Sequence, residues 1–240
     1  MFKRLAFLFL AMLAVSACNG DKSATAAPAA KNTASAPAAP AAAATASAAA
    51  PAREWQLGSD YYLIDPRVPT STGDKVEVVE VFSYACPHCA HFQPTMDELK
   101  AKLPANAQIV LIPAVFNPQW EPFARAFYTA RALSLLDKTH VALFEALHTE
   151  HQPLYSIDSL ANFYAKYGAD PKSFLATANS FVIDSQIANG NRLVTSYGVG
   201  STPTLVINGK YRVEMSAEKN IGPKEALDIA LMLVKQESAK

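Results

Sequence analysis

Cysteine is scarce in this chain. Of 240 residues only three are cysteines, Cys18, Cys86 and Cys89, and the last two share one short motif. A motif that short staples no long loop, so a folded domain built around it has to be held by packing. An excess of either charge is lacking too, because 21 Lys and Arg balance 21 Asp and Glu. With no basic run interleaved with aromatics, nothing recommends nucleic acid as a partner. Long hydrophobic runs are also missing. The apolar stretch Leu5 to Val15 is too short to span a bilayer, and no second candidate span follows it. Between Asn19 and Ala52 there is hardly an aliphatic or aromatic side chain to bury, which excludes a core there.

What is present at the N-terminus reads as an export signal over residues 1–17. Lys3 and Arg4 supply a positive start, Leu5 to Val15 the apolar stretch, and Ser16-Ala17 small residues before Cys18. Val15-Ser16-Ala17-Cys18 also resembles the lipobox of bacterial lipoproteins, which implies that Cys18 becomes a lipid-bearing N-terminus. The alternative is an ordinary cleaved signal in which Cys18 is incidental. Residues 18–52 then form a linker of Ala, Ser, Thr and Pro, in which Pro28, Pro37, Pro40 and Pro51 oppose the helix that alanines favour. Its flexible-chain reach is on the order of 30 Å. Such a tether would hold a soluble domain near a membrane surface.

Residues 53–240 suit one domain large enough to bury its own core. Tyr61 to Ile64 reads as a short edge strand, Val76 to Phe82 as a buried strand interrupted by Glu80, and Ile109 to Ile112 as a third. Cys89, Phe92, Met96, Leu99 and Leu103 share one helix face, and Pro94 should kink that helix. From about 118 to 198 the period is helical throughout. Its stripes are Phe123, Phe127, Ala130 and Leu133; Val141, Phe144 and Leu147; Leu160, Phe163, Tyr164 and Tyr167; Phe174 and Leu175 after Asp170-Pro171; and Ile183, Ile187, Val194 and Tyr197. Gly168 and Gly198 mark helix stops. Thr204 to Ile207 and Tyr211 to Glu214 form a hairpin about a two-residue Asn208-Gly209 turn, and Pro223 opens a closing helix. The pattern predicts an α/β (α+β) domain: a small mixed sheet with an inserted all-helical subdomain.

The chemistry is expected at Cys86-Pro87-His88-Cys89. If Cys86 caps the helix and Cys89 lies one turn in, both sulfurs fall on one side and can bridge. Cys86 would face unpaired N–H groups and the positive end of the dipole, which favour thiolate, while Cys89 would be more buried. The dipole contributes about 0.3 to 1 kcal/mol, and roughly 2 when partly buried. One pKa unit is about 1.4 kcal/mol, so the dipole alone shifts Cys86 by only about one unit. Backbone N–H groups and His88, as cation or donor, are the further sources, since hydrogen bonds to charged groups contribute about 1.5 to 3 kcal/mol. The competing reading is half of a zinc site with His88 or His91, which the absence of a second cysteine pair disfavours. Glu80 lies within an apolar run, where burial should raise its pKa and allow it to shuttle the Cys89 proton; the alternative is a hydrogen-bonded strand glutamate. Glu77 is expected near the open start of the strand. His140, His148 and His151 are most simply surface residues.

The cysteine motif after a Glu-bearing strand, the helical insertion and Ser201-Thr202-Pro203-Thr204 before a hairpin together resemble the DsbA family of thioredoxin-fold oxidases, from about Asp60 onward. The resemblance implies a cis Thr202-Pro203 bond whose backbone pairs with an extended substrate segment, with the Thr202 hydroxyl near sulfur. It implies a dithiol oxidase, active as a monomer without a cofactor or metal, that passes its Cys86–Cys89 disulfide to reduced exported proteins. Cys86 would join the substrate and Cys89 resolve the bridge, and a membrane quinone reductase resembling DsbB would restore the disulfide. One departure stands out: members often carry a basic or histidine residue in the strand matching Ile109 to Phe116, and this chain has none there. The rival functions are a reductase or isomerase of the same fold and, from another class, a metal-binding or copper-delivery module. Against an isomerase, a linker stands where known isomerases carry a dimerisation domain.

Overall fold

Val76–Phe82 (β2) is buried at every position. A strand with no exposed residue needs neighbours on both edges and cover on both faces, and the topology supplies them. Ala107–Pro113 (β3) pairs with it in parallel and Thr204–Ile207 (β4) antiparallel. Tyr211–Glu214 (β5) and the edge strand Tyr62–Leu63 (β1) complete a five-stranded mixed sheet in the order β1-β5-β4-β2-β3. The computed structural model describes residues 53–239. The signal, Cys18 and the linker through residue 52 lie outside them.

Alternation along β2 sends its side chains to two different cores. Val76 and Val78 pack with Phe92 and Leu99 of Pro87–Lys102 (α1) and with Leu227, Ala230 and Leu233 of Pro223–Ser238 (α7). Val79 and Val81 face the other way, towards Val194 of Phe181–Ser196 (α6) and the following Tyr197. Each fully buried side chain of the size of Phe92 or Leu99 contributes about 1.5–3 kcal/mol relative to exposure. α1 runs through Pro94 as one helix.

Between β3 and β4 stand Glu121–Ala132 (α2), Leu136–His148 (α3), Ile157–Ala165 (α4), Pro171–Ala178 (α5) and α6. Local signals start and stop them as the sequence predicts: the Asp170 carboxylate accepts from Ser173 N–H at 2.8 Å with Pro171 in the first turn, and Gly198, at φ +64°, follows α6. Their core is continuous with the cysteine motif. Phe82, Tyr84, Cys86 and Cys89 share one cluster with Phe127, Phe144, Leu160 and Phe174.

Two expectations need correction. The hairpin loop has three residues, because Ile207 faces Tyr211, although Asn208 and Gly209 both take the positive φ foreseen for the turn. In α3, Val141 is exposed and the buried face runs instead through Thr139, Leu143, Phe144 and Ala146. Phe144 stays inside against Phe82 and Tyr84, and the His140 ring, rather than Val141, packs on the same two rings.

Candidate active site

β2 delivers the chain into Ser83-Tyr84-Ala85, and Cys86 is the N-cap of α1, with extended backbone at φ −94° and ψ 112°. The cap is seated from behind: Cys86 N–H donates to Ser83 C=O at 3.1 Å, and Ala85 N–H to the Ser83 hydroxyl at 3.2 Å. Pro87 occupies the first turn, where a missing N–H costs nothing. Cys86 is 6% exposed and Cys89 fully buried, both as free thiols, while Pro87 and His88 are exposed.

The two thiols are pushed in opposite directions. The Cys89 thiol donates to the Cys86 sulfur and, with the Thr202 side chain and the backbone N–H groups of Cys89 and His88, lowers Cys86 to about 5 against the opposing cost of burial. Burial foremost, then the hydrogen bond and charge of Cys86, hold Cys89 far above the ordinary thiol range. His88 contributes its backbone N–H, a helix-terminal donor. Thr202 comes from across the sheet. Its carbonyl oxygen lies 3.4 Å from Cys86 Sγ, Thr202-Pro203 is cis, and Pro203 is buried. A second cis bond, Asp65-Pro66, was not foreseen.

Glu80 shares the α1 side of the sheet, two positions before Phe82. It is fully buried, neither carboxyl oxygen has a hydrogen-bond partner, and burial, followed by the charge of Cys86, pushes it up to about 8. A buried carboxyl left without hydrogen-bond partners stays protonated near neutrality. Glu77 is not at an open strand end. It is buried on the opposite side, where its carboxylate accepts from Ser71 N–H at 2.8 Å and the Ser71 hydroxyl at 2.6 Å.

The histidines of α3 correct the surface reading. His140 and His148 are half-buried and both reach Tyr84: His140 Nδ1 hydrogen-bonds the Tyr84 hydroxyl at 2.8 Å, and His148 Nε2 donates to the Tyr84 carbonyl at 2.7 Å. Burial lowers His140 to about 4, so it is neutral. His151 is exposed. The signal was present in the sequence, since His140, Phe144 and His148 recur at four-residue intervals on one helix face. Among the described residues no three His, Cys, Asp or Glu side chains are grouped as a metal ion would require, and no helix is long and apolar enough to cross a membrane.

Comparison with known proteins places this geometry. The family model described as Thioredoxin matches residues 71–225. The thiol:disulfide interchange protein DsbA of Pseudomonas aeruginosa is 39% identical over 191 residues, which cover 80% of this chain and 90% of that protein. DsbA of Azotobacter vinelandii is 34% identical over 182 residues, covering 76% and 84%. The crystal structure of Pseudomonas aeruginosa DsbA superimposes with a TM-score of 0.72 at 38% identity, over 77% of this chain and 95% of that one. The sheet, the capped cysteine pair and the helical insertion are therefore those of a thioredoxin-like fold, and the chain belongs to the DsbA family of thiol:disulfide interchange proteins.

Proposed function

We propose that the chain donates a Cys86–Cys89 disulfide to reduced exported proteins in the periplasm. A substrate thiolate attacks Cys86 Sγ, the Cys86–Cys89 bond breaks, and its electron pair leaves on Cys89, which takes up a proton. A second substrate thiolate then attacks the substrate sulfur of the mixed disulfide and Cys86 leaves as a thiolate. The carrying observation is the set of donors converging on the Cys86 sulfur, which stabilises that leaving group and favours the dithiol state. Glu80, protonated near neutrality, supplies the Cys89 proton. The Thr202 backbone beside Cys86 Sγ receives an extended substrate segment by strand addition, with Pro203 fixing it in place. A quinone-linked membrane partner resembling DsbB reoxidises the pair, and a lipid on Cys18 with the 18–52 linker keeps the monomeric domain near the membrane.

The test is the redox potential, measured by equilibration with glutathione and trapping of free thiols. A value far more oxidising than the roughly −270 mV of thioredoxin is expected. A thioredoxin-like value would sink the oxidase reading and leave a reductase with an upstream electron donor. Stoichiometric metal retained under reducing conditions, with inertness towards dithiols, would point instead to the metal-delivery class. Mass spectrometry of the mature protein checks the lipid on Cys18.

A further inference from the structure

β3 offers Glu80 no base, since the residue opposite it is Leu111. The polar group that faces the same space comes from the helical insertion. Glu80 and His140 both line a cavity of about 720 Å³ between α1, β3, α2 and α3. The two Glu80 carboxyl oxygens and His140 Nε2 are buried there without protein partners. The cavity reaches solvent, because the exposed side chains of Asp97, Lys100, Arg131 and Asp137 also line it. A water molecule takes up about 30 Å³ and needs polar partners, so the cavity has room for many, and the unpartnered atoms of Glu80 and His140, closed to bulk solvent, belong to two residues of its wall.

We infer that His140 is a positioning residue for proton delivery to Glu80, its Nε2 holding the water through which the buried acid exchanges with solvent. The inference rests on the reading of Glu80 as the proton donor to Cys89. The balance is simple. When the Cys86–Cys89 bond breaks, Cys89 takes a proton from the Glu80 carboxyl, and the carboxylate regains one from cavity water, so one proton enters from solvent and nothing else is oxidised or reduced. The imidazole is suited to this because it stays neutral. The rings of Phe82, Phe127 and Phe144 surround it, and the Tyr84 hydroxyl fixes Nδ1, which leaves Nε2 as the ring nitrogen without a protein partner.

The test is single-turnover reduction of the disulfide form of the full chain by a reduced peptide, followed in wild type, His140→Ala, Glu80→Gln and the double variant. His140→Ala should slow reduction about 10-fold or more, as loss of a positioned proton path does, and imidazole added to the buffer should restore the rate. His140→Gln, which still presents a hydrogen-bonding amide, should keep most of it. In Glu80→Gln the alanine substitution should have no further effect. Equal slowing in both backgrounds without imidazole rescue would reduce His140 to a packing role and overturn the inference. An unchanged rate in His140→Ala, with Glu80→Gln slow, would overturn it while sparing Glu80; an unchanged rate in Glu80→Gln would remove both. His140→Leu replaces the alanine variant if that does not fold.

Discussion

Cys86 and Cys89 are the same residue type three positions apart, yet the donors prevail over burial at Cys86 and burial prevails over them at Cys89. The Cys89 thiol is the largest single cause that lowers Cys86. Thiolate absorbance of the dithiol protein should therefore titrate near pH 5, and Cys89→Ser should move the midpoint towards the ordinary thiol value if the hydroxyl is the weaker donor to sulfur. A wild-type midpoint near 9 would refute the arrangement. Glu80 is shifted the opposite way, from 4.5 to about 8. The folded dithiol protein thus holds a proton that the unfolded chain releases, and stability falls as pH rises between those values. Glu80→Gln removes this cost. Relative to wild type it should gain stability in denaturant melts across pH 4.5 to 8, with a slope approaching about 1.4 kcal/mol per pH unit. A pH-independent difference would mean that Glu80 is ionised when buried.

At the scale of elements, strand alternation separates the two acids of β2. Glu77 and Glu80 are three apart and so lie on opposite faces: Glu80 looks to α1 and the cysteines, Glu77 to Ser71. The insertion meets the site through α3, whose two histidines hold Tyr84 at both its hydroxyl and its carbonyl, two residues before Cys86. The insertion also packs tightly within itself and against the sheet. Gly190 of α6 is buried where a Cβ would collide with the Tyr128 hydroxyl of α2, with Ile112 of β3 at 3.5 Å. Gly190→Ala should cost about 1–3 kcal/mol by overpacking, read from denaturant midpoints. Tyr128→Phe, which deletes the oxygen, should recover most of that loss in the double variant; an additive loss would show that the crowding lies elsewhere.

For the whole molecule, the thiolate links redox state to stability. Because the folded pKa of Cys86 is depressed, its contribution is fully present above the ordinary value of 9 and is lost as pH falls through about 5. The dithiol form should accordingly resist denaturant better than the disulfide form at pH 7, with the gap closing towards pH 5. Each 1.4 kcal/mol of that gap corresponds to about 30 mV of potential. A disulfide form that is the more stable at every pH would contradict donation as the favoured direction.

Much of this was legible in the chain itself. The buried run of β2, the capped Cys86-Pro87-His88-Cys89 motif, Asp170-Pro171 and the glycine stops are local patterns in which hydrogen-bond geometry and side-chain period dictate the element. Burial of Glu80 followed from its apolar neighbours in the same strand. What the sequence could not decide were contacts between residues far apart in it. Thr202 meets Cys86 only because β4 pairs with β2. The backbone N–H of His88 joins the donors to Cys86. His140 looked like a surface residue because a stripe through Val141 and one through His140 fit the same helical period. Phe144 belongs to both, and only the packing of the His140 ring against Phe82 and Tyr84 chose between them, placing His140 in the lining of the cavity it shares with Glu80.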